Sequence, residues 1–272
     1  MTKNKNPWGN SFSSVWQYNV PPARPSFAEL VLYSKHLQEI QNNLKEKAKI
    51  LILGSTPEFR DWAFEKNVES TVVDYNKENY RALNRFMHHQ DINESFIESN
   101  WLQINIKERF DLAVADHAVG VLKREDVSIF LKNVADALKK NGIFITKQYF
   151  CFKMSYKNLE ELFKSYYEKL PYENILEATM NGLISFEAMD TGNFSFKDVF
   201  TKLKKLYSDK IIKAEDFKKF SDLGWENINF KLFIPTEVEW KKLINQYFEV
   251  LSIERTDDIY AETMPIYFLK KK

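Results

Sequence analysis

The segment Lys49-Ile-Leu-Ile-Leu-Gly-Ser-Thr-Pro-Glu58, followed by Val72-Val-Asp74, limits what this chain can fold into more than any other part of it. Ile50 to Leu53 form a continuous apolar run, as expected of a parallel strand covered on both faces. Gly54 allows a sharp turn and a close approach of backbone to ligand. Thr56 is placed to cap a helix whose first position is Pro57. Strand, tight turn, helix start and a second strand ending in an acid are the layout of a nucleoside-binding α/β unit. There Asp74, twenty positions after Gly54, accepts hydrogen bonds from ribose hydroxyls. A plainer role for Asp74 is a strand-end carboxylate that caps the helix beginning at Asn76.

Two ligand classes use this layout and differ in what must sit against the turn. A dinucleotide places a doubly anionic pyrophosphate there, which needs free N–H groups at the helix N-terminus and a third glycine for close packing. Here Thr56 and Phe59 stand where glycines are expected, Pro57 removes an N–H, and Glu58 adds negative charge to the first turn. All four features oppose a phosphate. A sulfonium cofactor, S-adenosyl-L-methionine, carries no phosphate, and its positive charge tolerates a nearby carboxylate.

The order of later segments adds a resemblance. Ile50 to Glu58, Val72-Val-Asp-Tyr75, Asn100-Trp101, Phe110-Asp-Leu-Ala-Val-Ala-Asp116 and Leu138-Lys-Lys-Asn-Gly-Ile-Phe-Ile145 resemble the successive motifs of class I S-adenosylmethionine-dependent methyltransferases, with a Gly-Ser-Thr-Pro-Glu variant of the first motif. The resemblance covers roughly residues 49 to 151 and the C-terminus. It implies an α/β, Rossmann-like, mostly parallel seven-stranded sheet with a C-terminal antiparallel strand pair. It also implies S-adenosyl-L-methionine as cofactor, held by Gly54, Ser55, Thr56 and Glu58 at the turn, Asp74 and Tyr75 after the second strand, Asn100 and Trp101 after the third, and Asp116 after the fourth.

Helix and strand patterns alternate through this region: helix 57–66, strand 70–74, helix 76–88, strands 95–99 and 110–115, helix 124–140 stopped by Asn141-Gly142, and strand 143–149. Short connections between them imply a parallel sheet wrapped by helices. Ahead of it, Ser26 and Glu29 form a capping box for a helix with Phe27, Leu30, Val31, Leu37, Ile40 and Leu44 on its apolar face. After Phe152 the pattern becomes helical, with Leu159, Leu162, Phe163, Tyr166 and Leu170 on one face and Phe196, Val199, Phe200, Leu203 and Leu206 on another; no strong strand is expected before Phe248. Thr236 and Glu239 make a second capping box, and Phe248–Ile253 with Pro265–Leu269 read as a closing strand pair. The expected organisation is an N-terminal arm and helix over 1–48, a cofactor domain over 49–151 and 236–272, and a mainly helical insertion over 152–235 that caps the acceptor.

Composition narrows the partners. The formal net charge of +1 gives no global field for nucleic acid or anionic membrane. Cys151 is the only cysteine, so an internal disulfide or a cysteine-based zinc site is excluded, and a reducing, cytoplasmic setting is expected. The N-terminus lacks the apolar core of a signal peptide, and no apolar run is long enough for a membrane helix. No metal site is expected. His88-His89 with Asp91 reads as a solvated helix end, because adjacent histidines point different ways.

Asp116 closes the fourth strand, where cofactor and acceptor meet across the sheet; it would hold the cofactor's ammonium group or the acceptor, or merely cap its own turn. His117 is the one histidine beside that point and so the one candidate proton acceptor, unless it only binds backbone. Trp101 offers a face to stack on adenine and Asn100 an amide to its edge, with plain core packing the alternative for Trp101. Trp8, Trp16, Tyr18, Arg24 and Tyr33 either fold over the cofactor as a lid or only pack. The expected function is methyl transfer to a small-molecule acceptor. A non-catalytic binding module of the same fold and an NAD(P)-dependent oxidoreductase are the alternatives.

Overall fold

A computed structural model of the chain describes residues 16–169, 175–258 and 260–272. Trp8, Leu170 and the side chain of Tyr18 lie outside the described residues. The apolar runs form one seven-stranded sheet from β1 (Lys49–Leu53), β2 (Glu69–Asp74), β3 (Ser95–Glu98), β4 (Phe110–Asp116), β5 (Leu138–Lys147), β8 (Phe248–Glu254) and β9 (Ile266–Lys271). Its order is β3-β2-β1-β4-β5-β9-β8. The first five strands are parallel, β9 runs antiparallel to β5, and β8 antiparallel to β9. The fold is therefore α/β and Rossmann-like with a C-terminal antiparallel pair, and β9 sits inside the pair, wedged between β5 and β8. Register places Leu53 beside Val73 and Ala115, and Asp116 beside Lys147. The ends of β1, β2, β4 and β5 thus bring Gly54, Asp74, Asp116 and Lys147 to one edge of the sheet.

Helices cover both faces. Helix α1 (Phe27–Asn42) carries the complete capping box: Glu29 N donates to Ser26 Oγ at 3.2 Å and Ser26 N to Glu29 Oε2 at 2.9 Å. Of the expected apolar face, Leu37 is in the core and Leu30, Ile40 and Leu44 pack against it, but Phe27 and Val31 do not. Glu29, Tyr33 and Leu37 face inward, while Phe27 is 82% and Val31 52% exposed, because an internal ion pair described below draws Glu29 into the core. Helix α2 (Pro57–Glu65) has proline at its first position, but Thr56 makes no side-chain cap bond; the Glu58 carboxylate takes that role by accepting its own backbone N–H.

Helix α3 (Lys77–Leu83) is capped by Asn76 and is shorter than its sequence pattern. The Asp61 carboxylate accepts the N–H groups of His88 and His89 at 2.9 and 3.0 Å, which holds that stretch out of the helix. Helix α4 (Val127–Ala137) ends at Ala137, not at Asn141-Gly142. Leu138 already pairs with Phe110 as the start of β5, and the ladder resumes at Ile143 opposite Leu112. The residues between bulge outward with Asn141 at φ +66°, and Lys139 reaches Asp111 at 2.8 Å.

The segment after Phe152 holds α5 (Leu159–Lys169), α6 (Ile175–Ala188), α7 (Phe196–Ser208) and α8 (Ala214–Asp222). It also contains two short strands, β6 (Asn193–Ser195) paired antiparallel with β7 (Lys231–Phe233); three-residue strands are too short to leave a periodic signature. Leu162, Phe163, Leu183, Phe194, Phe200, Leu203, Phe220 and Trp225 form a core here that is separate from the cores on the two faces of the large sheet. Helices α5 and α6 meet at Gly182, where an added Cβ would lie 1.5 Å from Tyr166 Oη and 2.7 Å from its Cζ. Gly182→Ala is therefore expected to destabilise the protein by about 1–3 kcal/mol, read by thermal unfolding, and Tyr166→Ala in the same chain to recover much of the loss. Helix α9 (Glu237–Ile244) returns the chain to the sheet; Thr236 caps it, but the expected reciprocal bond is absent, because Glu239 pairs with Arg124 at 2.6 Å.

Candidate functional site

A cavity of about 420 Å³ opens above the carboxyl ends of β1, β2, β4 and β5. Crevices at this edge are where open α/β sheets bind ligands, since the helix N-termini and turns converge there. Of the residues expected at the site, Gly54, Ser55, Thr56, Asp74, Tyr75, Asn100, Trp101, Asp116 and His117 all line it. Glu58 does not: besides its own N–H it pairs with Arg24 at 3.0 Å, tying the segment before α1 to the start of α2.

The turn shows why glycine stands at position 54. Its φ is +100°, a conformation that L-residues with a Cβ rarely adopt, and a Cβ would stand 3.6 Å from Trp101 Cζ2. Trp101 is fixed there because its indole N–H donates to the Val73 carbonyl at 2.9 Å. The ring is both part of the cavity wall and a packing partner of Phe130. Asn100 spends its Oδ1 on capping the following turn through Leu102 N at 3.0 Å, and its NH₂ has no hydrogen-bond partner among the described residues.

Asp74 ends β2 with one carboxylate oxygen on Ser55 Oγ at 2.5 Å and the other on Asn76 N at 3.1 Å. Burial raises its pKa above the ordinary value against these bonds and those from the Ser55 and Tyr75 backbone. A desolvated carboxylate that lines the cavity is a strong acceptor for a ligand's hydroxyls.

Asp116 belongs to a buried charge cluster that sequence reasoning missed. Lys147, only 1% exposed, reaches both carboxylate oxygens of Glu29 at 2.9 and 3.0 Å, Asp116 Oδ1 at 3.3 Å and the Pro22 carbonyl at 3.2 Å. Burial alone would lower the Lys147 pKa, but Asp116 and Glu29 outweigh it and hold the ammonium above its usual value. Burial and the Asp116 charge raise the Glu29 pKa against the pull of Lys147. The cluster holds two acids and one base, so it leaves a negative surplus beside the cavity, which Asp116 lines. The available signal was a lysine closing the apolar strand Ile143–Thr146; Glu29 was legible only as a cap.

His117 adopts φ +49° at the end of β4. Burial pushes its pKa down to about 4, with Asp116 opposing, and the ring bonds the Pro22 carbonyl. It is thus neutral at physiological pH and a weak base. An NMR titration is expected to show its ring protonating near pH 4; a midpoint near 6.5 would contradict this geometry.

The segment before α1 forms part of the cavity wall through Trp16, Asn19, Pro22 and Ala23, whereas Tyr33 is buried below it. At the far end the wall is apolar, with Tyr149, Ile184, Phe196, Trp225, Phe233 and Met264. Tyr149 Oη is engaged by Ser185 Oγ at 2.6 Å. Phe196, Trp225 and Phe233 were legible as part of an aromatic tendency of residues 152–235, but no pattern marked which aromatics line the cavity.

No family model matches the sequence and no curated protein is similar to it. Solved structures share the fold at low identity. A candidate Zn-dependent alcohol dehydrogenase from Rhodobacter sphaeroides has a TM-score of 0.60 at 13% identity, covering 98% of this chain and 96% of that one. A SAM-dependent methyltransferase from Methanosarcina mazei has a TM-score of 0.51 at 16% identity, covering 86% and 96%. The N-methyltransferase NodS from Bradyrhizobium japonicum, in complex with S-adenosyl-L-homocysteine, has a TM-score of 0.50 at 11% identity, covering 96% and 98%. Among the described residues no group of three His, Cys, Asp or Glu side chains is placed to hold a metal ion, and no helix is long and apolar enough to cross a membrane.

Proposed function

We propose that this chain is an S-adenosyl-L-methionine-dependent methyltransferase acting on a small, largely apolar acceptor. The observation that carries the reading is Asp74, a desolvated carboxylate at the tip of β2, facing a cavity whose turn suits a sulfonium and not a pyrophosphate. The site fits the cofactor at three points. Asp74 accepts the ribose hydroxyls, Trp101 and Asn100 border the adenine, and the Asp116 carboxylate, which lines the cavity and is ion-paired with Lys147 through Oδ1, accepts the ammonium of the methionine tail. Ser55 keeps the Asp74 carboxylate aimed, and Lys147 does the same for Asp116. Sheet order agrees: dinucleotide folds add a sixth strand after β5 in parallel, whereas here antiparallel β9 holds that place.

When bound, S-adenosyl-L-methionine supplies an already activated methyl group, so the protein's task is alignment and exclusion of water. Orientation of that kind is worth roughly 7–11 kcal/mol of barrier. The segment 152–235 supplies the aromatic wall that seats the acceptor and keeps water out. His117, neutral and bonded to the Pro22 carbonyl, orders the segment before α1 and is not required to remove a proton.

Calorimetric titration with S-adenosylhomocysteine, with NADH in a parallel cell, tests the reading. Micromolar binding of the former alone is expected. Binding of NADH alone would turn the assignment to an oxidoreductase, and binding of neither to a non-catalytic module. Because ribose hydroxyls favour the ionised form of Asp74, affinity is expected to fall on acidification. The raised Asp74 pKa places that loss at a higher pH than for an ordinary aspartate, and Asp74→Asn should flatten the profile.

A further inference from the structure

We infer that the methyl acceptor is a neutral aromatic amine, whose ring fills the aromatic chamber at the far end of the cavity and whose N–H is accepted by Gln148 Oε1. The inference rests on the proposed methyltransferase reading and adds to it the acceptor's chemical class and a residue that positions it.

Sheet order divides the cavity. The Gly54 turn leaves β1, Asp74 ends β2, and Asn100 and Trp101 follow β3, so these cofactor residues lie on one side of β4. On the other side β5 ends at Lys147 and leads to Gln148 and Tyr149, which line the cavity together with Phe196, Trp225 and Met264. Gln148 is only 1% exposed. Its backbone N–H donates to the Pro265 carbonyl at 3.1 Å and its Nε2 to the Tyr149 carbonyl at 2.8 Å. The second bond fixes which way the amide faces, since a flip would set its oxygen against the Tyr149 carbonyl oxygen. Oε1 is left buried with no hydrogen-bond partner among the described residues. A carbonyl oxygen in that state favours a ligand that brings an N–H or O–H and rejects one that does not. The Tyr149 hydroxyl beside it is already engaged by Ser185.

The bases at hand decide which donor is methylated. A hydroxyl must lose its proton before or as it attacks, and the groups next to this point are poor bases: burial holds the His117 pKa at about 4, and Asp116 is ion-paired with Lys147. An alkylamine is protonated at neutral pH and has no lone pair to give. An aromatic amine is neutral there and keeps its lone pair while one N–H is donated to Gln148. Its nitrogen forms the new N–C bond with that pair as the C–S electrons return to sulfur. The extra proton then leaves the arylammonium for water, so no side-chain base is needed. An aromatic body also suits a wall that includes Phe196 and Trp225.

The test uses 4-propylaniline, 4-propylphenol and 4-propyltoluene, which share one body and differ in the group offered to Gln148. Calorimetry in the presence of S-adenosylhomocysteine gives their affinities, and a single turnover with S-adenosyl-L-methionine, read by mass spectrometry, gives methylation. The aniline is expected to bind about tenfold tighter than the toluene and to be methylated at least about tenfold faster than the phenol. Gln148→Met should abolish the preference for the aniline over the toluene while leaving toluene affinity unchanged, which shows the chamber intact. Gln148→Glu, which keeps an acceptor oxygen, should retain a preference. Equal or tighter binding of the toluene, a preference that survives Gln148→Met, its loss in a folded Gln148→Glu protein, faster methylation of the phenol, or no binding of any probe would overturn the inference. S-adenosylhomocysteine affinity measured on the same samples separates the two claims: selectivity for the aniline without cofactor binding removes the methyltransferase reading, and cofactor binding without selectivity removes the amine.

Discussion

Asp74→Ala is expected to weaken S-adenosylhomocysteine binding by at least about 100-fold while leaving the protein folded. Two ribose hydroxyls on one carboxylate make two charge-assisted hydrogen bonds, each worth roughly 1.5–3 kcal/mol. The fold should bear the change, because burial disfavours the ionised Asp74 and raises its pKa, so the charge is held at a cost when the site is empty. Of its partners, Ser55 lines the cavity, where water replaces the lost acceptor. Asp74→Asn, which keeps the shape and loses the charge, should fall between wild type and alanine. Calorimetry gives the affinity and a thermal melt the fold. Undiminished binding in a folded Asp74→Ala protein would remove the assignment of the site.

Lys147→Met is expected to have the largest effect on stability. It leaves Glu29 and Asp116 buried at the end of the sheet without their cation. Removing one partner of a buried ion pair costs about 3–5 kcal/mol, or roughly a 10 °C fall in Tm for a chain of this size. The pH dependence identifies the cause. Glu29 already has a folded-state pKa above its ordinary value through burial, and Lys147 is what restrains it. Without Lys147 that pKa rises further. A carboxylate with a raised folded-state pKa contributes stability that is present below its unfolded pKa and lost as pH rises through the folded one. The deficit of Lys147→Met relative to wild type should therefore be greatest near neutrality and above, and shrink as pH falls toward the carboxylate range. Glu29→Gln in the same chain should recover part of the loss, since glutamine can still accept the Ser26 N–H while bringing no charge. A deficit independent of pH would mean lost packing and not an orphaned charge.

Residues 16–26 follow from the same cluster. Lys147 and His117 both bond the Pro22 carbonyl, Arg24 pairs with Glu58, and Ser26 Oγ donates to Asp258 at 2.8 Å. Trp16 and Pro22 are part of the cavity wall because these polar contacts hold the segment there. Glu58 was expected to face a ligand and instead anchors this segment.

Elements whose pattern is local were readable from the residues alone. The apolar runs of β1, β2 and β4, the Ser26–Glu29 box, the Gly54 turn and the carboxylate at Asp74 each depend on neighbours within one strand or one turn, and the cavity is built on them. Boundaries set by distant partners were not readable. Helix α4 stops at Ala137 because Leu138 pairs with Phe110, and α3 stops at Leu83 because Asp61 takes the N–H groups of His88 and His89. Lys147, Glu29 and Asp116 are far apart in sequence and meet only because β4 and β5 are neighbours and α1 crosses their ends; the same ion pair turns Phe27 and Val31 outward against their own periodicity. Short-range backbone and burial preferences act through the order of residues and determined the sheet, its turn and its acid. Charge pairing and aromatic packing act through space, so only the tertiary structure decided which lysine holds Asp116, what Glu58 binds and which aromatics line the chamber.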